Sequence, residues 1–485
     1  MRRLKVFVAL LLALSMLAAA CGDDEDSSSG GDDGGSDTSD DSGDSGDSGD
    51  SGDSGDSGDS GDSGGAEIAT DFGVDAENKI IYVGINGDLT GPFASLVAEI
   101  VAAQEVYWEV FNGNGGYQGW TVEPVVLDSS YQTDIGIQNY ETLAQESEDG
   151  VLMITENTGS PITAAIAEQA AEDNVLVIPL SWASLWPDPA FGSAILEKQT
   201  TYCVEAMNGV EWLYEKVQSE GLDPALAIIG RPGEYGEDGS VGAALAAEAL
   251  GIPVVYDGTG AVAGDDRTAI ISELVSSGAT MVWVTLTPGE LLDIFGNSVT
   301  QGLRAYWSGS SPSFNYLVHM PSDFAAEFSE YYFQSQYQAP WATPGIPGME
   351  DIIAAMVEAR PELNISDVFT TGWIEGIMAE TLIRTAIDQG DLTRANMVAI
   401  SQDPSFSVDF KGLSADQSWP QDYNEAVVRS SWIYDVDVSK FNLIPLADYT
   451  PENPGSTGLI QLEEDYIGSV AENFVFDGPC IETSG

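Results

Sequence analysis

The regular alternation of strand and helix patterns between Ile80 and Ala165 is the feature that most constrains the fold of this chain. β-branched, apolar runs at 80–85, 122–127 and 151–154 are separated by segments with apolar residues at three-to-four-residue spacing. Strands that alternate with helices in this way form right-handed βαβ crossovers, so their strands lie parallel. The segment therefore predicts a doubly wound α/β lobe whose ligands bind beyond the carboxyl ends of its strands.

Two loops at these strand ends offer polar groups to a ligand. The loop at 88–92 follows the first strand and contains Thr90, and the loop at 155–161 follows the third strand and runs into an apolar helix. The first N–H groups of a helix have no partner within the helix, and they bind anionic oxygens readily. We therefore expect the second loop to hold a carboxylate or a similar oxygen.

A second series of strand and helix patterns follows the first. A fourth strand at 175–178 completes the first sheet, and new strands are predicted at 225–230, 254–256 and 281–285, each followed by a loop and most by a helix. This order predicts a second doubly wound lobe of similar design. The fold class is therefore α/β, with two doubly wound parallel-sheet lobes joined by a hinge and their loop ends facing one cleft.

The N-terminal 65 residues are of a different kind. Basic residues, an apolar run and small residues at 1–20 indicate a secretory signal that is too short to span a membrane. Cys21 follows three alanines, as in a bacterial lipobox, and we expect it to be lipidated; the alternative is a secreted protein with a chance cysteine. Eight Asp-Ser-Gly triplets fill 41–64. Because 22–65 has no apolar residue, a disordered tether is predicted, and a calcium-binding repeat is the alternative.

Charge and cysteine content restrict the partners. The formal net charge is -64, which argues against nucleic acid and against binding to anionic lipid through the protein surface. If the secretory signal at 1–20 exports the chain, Cys203 and Cys480 lie outside the cytoplasm. We therefore expect a disulfide between these two cysteines. His319 is the single histidine and is expected at the surface. We expect no metal site and no cofactor.

Several motifs together resemble one family. The residues at 90–92, 112–119, 234–237 and 259–266 fall in the order found in the branched-chain amino-acid-binding family of ABC-transporter solute receptors, which has the type I periplasmic binding fold. The resemblance covers roughly 80–310. It implies a signal peptide at 1–20, a lipidated cysteine and tether at 21–65, a first lobe at 66–205, a second lobe at 206–312, a return to the first lobe at 313–398, and a C-terminal segment at 399–485 that belongs largely to the second lobe and carries insertions.

The resemblance also implies a ligand site in the cleft. Hydroxyl and backbone N–H groups of the first lobe would hold a ligand carboxylate, and Tyr235 would close over the ligand from the second lobe. The alternative role of Thr158 and Ser160 is helix capping, which is compatible with binding. The predicted ligand-binding residues are Thr158, Gly159, Ser160, Ser181, Trp182, Tyr235, Thr90 and Ser310.

Two departures from the family bear on the ligand. Leu286 stands where the family has an aromatic residue, and the stretch around Ser310 replaces the acidic residue that pairs with a ligand ammonium. A buried ammonium without a carboxylate partner costs several kcal/mol, so a leucine-like ligand would need Asp88, Glu156 or Glu290. Amides, urea-like solutes, small carboxylates and aromatic acids remain open.

The resemblance implies a solute-binding lipoprotein of an ABC importer rather than an enzyme. Between 66 and 485 the sequence has no Gly-X-Ser-X-Gly elbow and no P-loop, and no GxGxxG fingerprint follows the first strand. We expect a monomer, anchored to the outer face of the bacterial cell membrane, that passes an amino acid or a related amide or carboxylate to permease and ATPase subunits. The alternative is a ligand-sensing receptor that acts through a separate signalling partner.

The lipobox hypothesis predicts how the protein partitions. Native protein should sediment with membranes, whereas Cys21→Ser should appear in the soluble fraction because the variant lacks the thiol that carries the lipid. Fractionation followed by immunoblotting measures both. Deletion of 22–65 serves as the control, since it keeps Cys21 and should leave the protein on the membrane. Equal membrane association of the Cys21→Ser variant would contradict the hypothesis.

Overall fold

The computed structural model describes residues 68–188, 191–262, 264 and 266–482. The predicted signal peptide at 1–20, Cys21 and the tether at 21–65 lie outside the described residues. Within them, two largely parallel sheets are flanked by helices, which confirms the predicted α/β fold class.

Strands and helices are numbered in chain order. The strands are β1 Ala69–Thr70, β2 Val74–Asp75, β3 Ile80–Gly87, β4 Thr121–Asp128, β5 Met153–Thr158, β6 Val177–Leu180, β7 Leu226–Gly230, β8 Val254–Gly258, β9 Met281–Thr285, β10 Tyr306–Gly309, β11 Tyr332–Gln336, β12 Asp391–Leu392, β13 Ser407–Val408, β14 Gln417–Ser418, β15 Ser431–Val436 and β16 Leu459–Tyr466. The helices are α1 Ala94–Gly113, α2 Thr133–Leu143, α3 Ser160–Asp173, α4 Tyr202–Ser219, α5 Glu234–Leu250, α6 Thr268–Ser276, α7 Pro288–Thr300, α8 Tyr316–His319, α9 Ala325–Tyr331, α10 Pro347–Ala359, α11 Phe369–Gln389, α12 Arg394–Ser401, α13 Tyr423–Ala426 and α14 Ser469–Asn473.

The first sheet contains the predicted strand–helix series. β3 pairs in parallel with β4 and β5, and β5 pairs in parallel with β6. The third strand begins at Met153, two residues later than predicted. Val151 precedes it because its carbonyl oxygen accepts a hydrogen bond from the Nε of Arg394 at 2.9 Å rather than from a neighbouring strand. β5 also ends at Thr158, four residues later than predicted, so the first half of the predicted loop at 155–161 belongs to the strand.

The second sheet runs in the order β16-β15-β11-β10-β9-β7-β8. β7 to β11 are parallel, whereas β15 pairs antiparallel with β11 and β16 antiparallel with β15. β11 falls in the segment 313–398 that the sequence assigns to the first lobe, while α11 from the same segment packs on α1. The predicted division at 205 and 206 lies inside α4. The lobe boundaries stay a prediction.

The helix that carries Tyr235 begins earlier than its apolar pattern suggests. The sequence predicts a loop at 231–239, but α5 starts at Glu234. Gly233 precedes it with φ of 88°, and the acidic Glu234 and Glu237 occupy the first turn, where the partial positive charge of the helix end stabilises them. Tyr235 is therefore held by a helix rather than by a flexible loop.

The prediction that His319 lies at the surface is wrong. His319 is fully buried, and its ring stacks on Phe314 with 4.7 Å between the ring centroids. Burial lowers the pKa of this imidazole to about 4, because the charged form is poorly solvated there. None of the helices in the described part of the chain is both long enough and apolar enough to cross a membrane.

Cys203 and Cys480 form a disulfide, with 2.04 Å between the sulfur atoms. Cys203 lies in the first turn of α4, and the bond spans 277 residues of sequence. The backbone N–H groups of both cysteines have side-chain hydrogen-bond partners. Asp238 accepts a hydrogen bond from the Cys203 N–H, and the Cys480 N–H donates to the Oγ of Ser184. The bond therefore ties the C-terminal segment to α4 and α5.

Removal of this bond should destabilise the body. The double variant Cys203→Ala, Cys480→Ala should lose about 2–4 kcal/mol of unfolding free energy, because the unfolded chain regains the entropy of a long open loop. Denaturant titration without reductant measures the loss, and reduced unsubstituted protein should lose a similar amount. Thiol titration of denatured, unreduced protein should find at most one free thiol, that of Cys21. Three free thiols would contradict the pairing.

Candidate ligand-binding cavity

A cavity lies beyond the carboxyl ends of β5, β6 and β11. Its other walls come from α1, α4 and α5, so segments that are far apart in sequence meet around one space. The lining residues are Phe93, Leu96, Val97, Ile100, Tyr131, Thr158, Gly159, Ser160, Leu180, Trp182, Tyr202, Tyr235, Ser311, Pro312, Gln336, Tyr337, Gln338, Val368 and Thr371. Among these described residues, none carries a formal charge at neutral pH.

One end of the cavity is built from the junction between β5 and α3. Thr158 ends the strand, Gly159 has φ of 104°, and Ser160 begins the helix. A positive φ favours glycine, and a Cβ at position 159 would lie 2.6 Å from a ring carbon of Tyr131. With no side chain at Gly159, this position places nothing between the cavity and the start of α3, where Ser160 carries the first N–H group and Pro161 carries none.

The hydroxyl groups at this end have partners that orient them. The Nε1–H of Trp186 donates to the Oγ of Ser181 at 3.1 Å, and that oxygen lies 2.6 Å from the Oγ of Ser160. When Ser181 donates its own proton to Ser160, the proton of Ser160 is free to point into the cavity. Ser181 itself is fully buried and lies behind the lining. In that arrangement of protons, Ser160 is able to donate to a ligand.

Six aromatic rings form a continuous wall around the cavity, which we call the aromatic wall. Successive ring centroids lie 4.7–6.0 Å apart, a spacing typical of favourable aromatic pairs. In order along the wall the residues are Tyr131, Phe93, Tyr235, Tyr202, Trp182 and Tyr337. Burial raises the pKa of both Tyr131 and Tyr235, so both phenols stay neutral. The wall therefore offers an apolar, uncharged surface.

A second polar region lies near β11 and α11. The Oγ1 of Thr371 donates to the Oε1 of Gln338 at 2.9 Å, which occupies that amide oxygen. By contrast, the buried Oε1 of Gln336 and the Nε1 of Trp182 find no hydrogen-bond partner among the described residues. Buried polar atoms are rarely left unpaired, and both of these atoms belong to residues that line the cavity.

Five of the eight predicted ligand residues line the cavity: Thr158, Gly159, Ser160, Trp182 and Tyr235. The other three do not line it in the described structure. Ser181 supports Ser160 from behind, and the Oγ of Ser310 lies 2.8 Å from the phenol oxygen of Tyr235, which it helps to hold. Thr90 is exposed, and its hydroxyl donates to the carboxylate of Asp128 at 2.7 Å, which links the loop at 88–92 to the end of β4.

None of the three acidic residues considered as partners for an ammonium lines the cavity. Asp88 accepts from the N–H groups of Gly91 and Phe93 and so shapes the turn that presents Phe93. Glu290 pairs with Arg231 at 2.6 Å and caps α7. Glu156 lies behind Thr158 and outside the lining. Leu286 is also buried behind the cavity, where its carbonyl oxygen accepts from the Tyr235 hydroxyl.

The sequence did not identify most of the apolar lining. Leu96, Val97 and Ile100 occupy one face of α1, and their spacing predicts a buried helix face without showing what it faces. Tyr202 begins α4, and Tyr337 directly follows β11. Recognition of β11 as a strand of the parallel sheet would have identified Tyr337, because this residue directly follows the carboxyl end of that strand.

The sequence profile of the periplasmic binding protein family matches residues 80–440. Leu/Ile/Val-binding protein homolog 3 from Brucella melitensis is 24% identical over 203 residues, which cover 42% of this chain. The matched region spans about half of that relative's length, 53%.

Solved structures share the fold. A fatty acid ABC transporter substrate-binding protein from Thermomonospora curvata has a TM-score of 0.72 at 23% identity, and the match covers 84% of this chain and 97% of that one. A branched-chain amino acid ABC transporter protein from Thermus thermophilus, solved with bound valine, has a TM-score of 0.63 at 17% identity, with 81% and 98% covered.

The geometry at Gly159 predicts the effect of a single added methyl group. Gly159→Ala should lose about 1–3 kcal/mol more unfolding free energy than Gly221→Ala, because both positions have positive φ but only the first would clash with a neighbour. Denaturant titration of the two variants measures the difference. Gly221 is the matched control, since no atom lies within 4 Å of a Cβ built there. Equal losses would show that Tyr131 yields freely and that the cavity wall is not rigid.

Proposed function

The chain belongs to the periplasmic binding protein family, and on this basis we propose that it is the extracytoplasmic solute-binding component of an ABC importer. The cavity is the binding site in this proposal. A solute held there contacts both the β5–α3 junction and Tyr235 of α5, so binding favours the closed arrangement of the cleft through contacts that the open one lacks.

The proposed solute has a mostly apolar body and a single polar head group of the carboxylate or amide type. The observation that carries this proposal is the lining itself: aromatic and aliphatic side chains form the walls, and neutral donors from Thr158 to Ser160 stand at one end. Apolar walls with a few placed polar groups are the usual form of a small-molecule site. The buried apolar surface supplies affinity, and the donors fix the orientation of the head group.

A free amino acid suits this cavity less well. Its ammonium would need a carboxylate partner, and the described lining offers none. An unpaired buried ammonium costs several kcal/mol or loses its proton. The proposed solute is closer in kind to the fatty acid for which one of the two solved structures above is named than to the valine bound in the other.

Delivery to the importer depends on the N-terminal region in this proposal. Lipidated Cys21 would hold the protein at the outer face of the membrane, and the tether at 21–65 would let the monomeric body reach a permease that is served by an ATPase. About 44 flexible residues span on average roughly 35–40 Å, enough to move a body of this size over the permease surface.

A thermal-shift experiment tests the solute class. Octanoate, octanamide and 4-phenylbutyrate should raise the melting temperature, because a ligand that binds the folded state alone stabilises it by mass action, whereas leucine at the same concentration should raise it less. Tyr235→Ala should weaken the affinity for the best of these probes by about tenfold to a hundredfold, equivalent to about 1.4–2.8 kcal/mol.

The control variant is Tyr256→Ala on the edge strand β8, which lies outside the lining and should keep the affinity of the unsubstituted protein. A larger shift with leucine than with the apolar probes would contradict the proposed solute class. Unchanged affinity in the Tyr235→Ala variant would show that this cavity is not the site.

A further inference from the structure

Tyr131 differs from the other five rings of the aromatic wall in its exposure to solvent. The other five residues are all buried, and the most exposed of them, Tyr337, is 7% exposed. Tyr131 also lines the cavity, yet it is only partly buried. It stands at one end of the wall, where its ring centroid lies 4.9 Å from that of Phe93. The ring of Tyr131 therefore lies where the aromatic wall meets the solvent.

The backbone holds this ring in a conformation that large side chains rarely adopt. Ser130 has φ of 50° and Tyr131 has φ of 56°, so two consecutive residues other than glycine are left-handed. The N–H of Gln132 donates to the carbonyl oxygen of Ser129 at 2.9 Å and closes a β-turn at 129–132, which we call the Tyr131 turn. Turns of this type favour Gly, Asn and Asp at their centre. Strained backbone of this kind persists only where the surrounding structure holds it, and it is concentrated at binding sites.

Asp128, at the end of β4, and Thr90 hold the Tyr131 turn in place. The Oδ1 of Asp128 accepts the N–H of Ser130 at 2.8 Å. Its Oδ2 accepts the hydroxyl of Thr90 at 2.7 Å, and the Thr90 oxygen lies 2.6 Å from the Oγ of Ser130. The loop at 88–92 is therefore hydrogen-bonded to the turn that presents Tyr131, which gives Thr90 a role that needs no contact with a ligand.

Two glycines allow the close contacts of this arrangement. A Cβ at Gly91 would lie 2.6 Å from the carbonyl oxygen of Ser130, so a side chain there would push the loop away from the turn. A Cβ at Gly159 would lie 2.6 Å from a ring carbon of Tyr131, so the ring rests directly on the backbone of the β5–α3 junction. That junction is the polar end of the cavity. The ring of Tyr131 therefore lies between the polar end and the solvent.

We propose that Tyr131 is a gate of the cavity: its ring closes the polar end toward solvent, and Thr90 is a positioning residue that keeps the ring in place through the Tyr131 turn. A solute enters or leaves the closed cleft when the ring moves away from Gly159. A gate of this kind slows both steps, because each requires the same opening. The inference rests on the proposed function, since the gated molecule is the solute of the same cavity.

The kinetics of solute exchange test the gate. Stopped-flow mixing with octanoate, followed by tryptophan fluorescence, gives the association and release rate constants. Tyr131→Ala should raise each of them by about tenfold or more, because entry and exit no longer wait for the ring to move. A ring that merely contacts the solute predicts faster release with an unchanged association rate constant, and that result would overturn the inference. Exchange limited by the hinge alone predicts that both rate constants stay the same, which would also overturn it.

Two further variants separate the ring from its support. Tyr131→Phe keeps the ring and should exchange octanoate at least about threefold more slowly than Tyr131→Ala. Thr90→Ala removes a hydrogen-bond partner of the turn, so both rate constants should rise by about threefold or more. In the Tyr131→Ala background, Thr90→Ala should have no further effect, because the ring that Thr90 positions is absent. Additive effects of these two substitutions, or equal rates of Tyr131→Phe and Tyr131→Ala, would overturn the inference.

The matched control is Thr259→Ala. Thr259 is exposed, like Thr90, and its hydroxyl donates to the carboxylate of Asp257 at 2.7 Å. It follows the edge strand β8 and does not line the cavity. Its substitution removes the same kind of contact at a distant place, so both rate constants should stay within about twofold of those of the unsubstituted protein. A change as large as that of Thr90→Ala would overturn the positioning role.

A measurement without solute distinguishes the gate from the proposed function. In the Cys21→Ser protein, whose other two cysteines are paired, Ser160→Cys introduces one thiol at the polar end of the cavity. That thiol should react with iodoacetamide about tenfold faster or more when Tyr131→Ala is added, because the reaction follows the fraction of molecules with an open cavity. Equal reaction rates would overturn the inference. The faster reaction combined with no binding of octanoate, octanamide or 4-phenylbutyrate would overturn the proposed solute class and leave the gate supported.

Discussion

The buried ion pair between Lys198 and Glu375 joins the parts of the chain on which the cavity depends. Lys198 precedes α4 and bonds to the end of β6 through the Pro179 carbonyl oxygen, whereas Glu375 lies on α11, which packs on α1. Removal of one partner from a buried pair leaves an uncompensated charge and costs about 3–5 kcal/mol. The pair thus fixes the distance between the edge of the first sheet and the helix that returns to it. Trp182 rests against the same lysine, so the aromatic wall has a rigid support.

A second set of hydrogen bonds places the other side of the cavity. Asp238 of α5 accepts from the N–H and the hydroxyl of Ser184, just after Trp182, and from the N–H of Cys203 in α4. Burial raises the pKa of Asp238 to about 7. The hydrogen-bond donors around this carboxyl group act in the opposite direction, because they stabilise its ionised form. Because α5 also carries Tyr235, the positions of Trp182 and Tyr235 are set by one carboxyl group. The disulfide lies beside it and holds the C-terminal segment in place.

The sequence predicts the fold well because the signal for it is local and repeated. The spacing of apolar residues identifies each strand–helix unit. The rule that ligands bind at the carboxyl ends of strands then points to Thr158, Gly159 and Ser160. The aromatic wall has no such signal. Phe93 and Tyr337 are 244 positions apart in the numbering, and only the tertiary structure brings their rings into one surface. His319 shows the same limit, because its sequence neighbours Val318 and Met320 do not reveal that Phe314 will stack on its ring.

Ser181 and Ser310 show a finer limit. Both are hydroxyl residues at strand ends, as a ligand site requires, yet each lies one layer behind the lining and orients the residue in front of it. Spacing along a strand cannot distinguish a hydroxyl that touches a ligand from one that supports it, because both lie on the same edge of the sheet.

The same consideration applies to the charge of the chain. The net charge of -64 repels anions in solution, but salt screens this repulsion over about 10 Å. The net charge therefore does not decide whether a buried anionic head group binds.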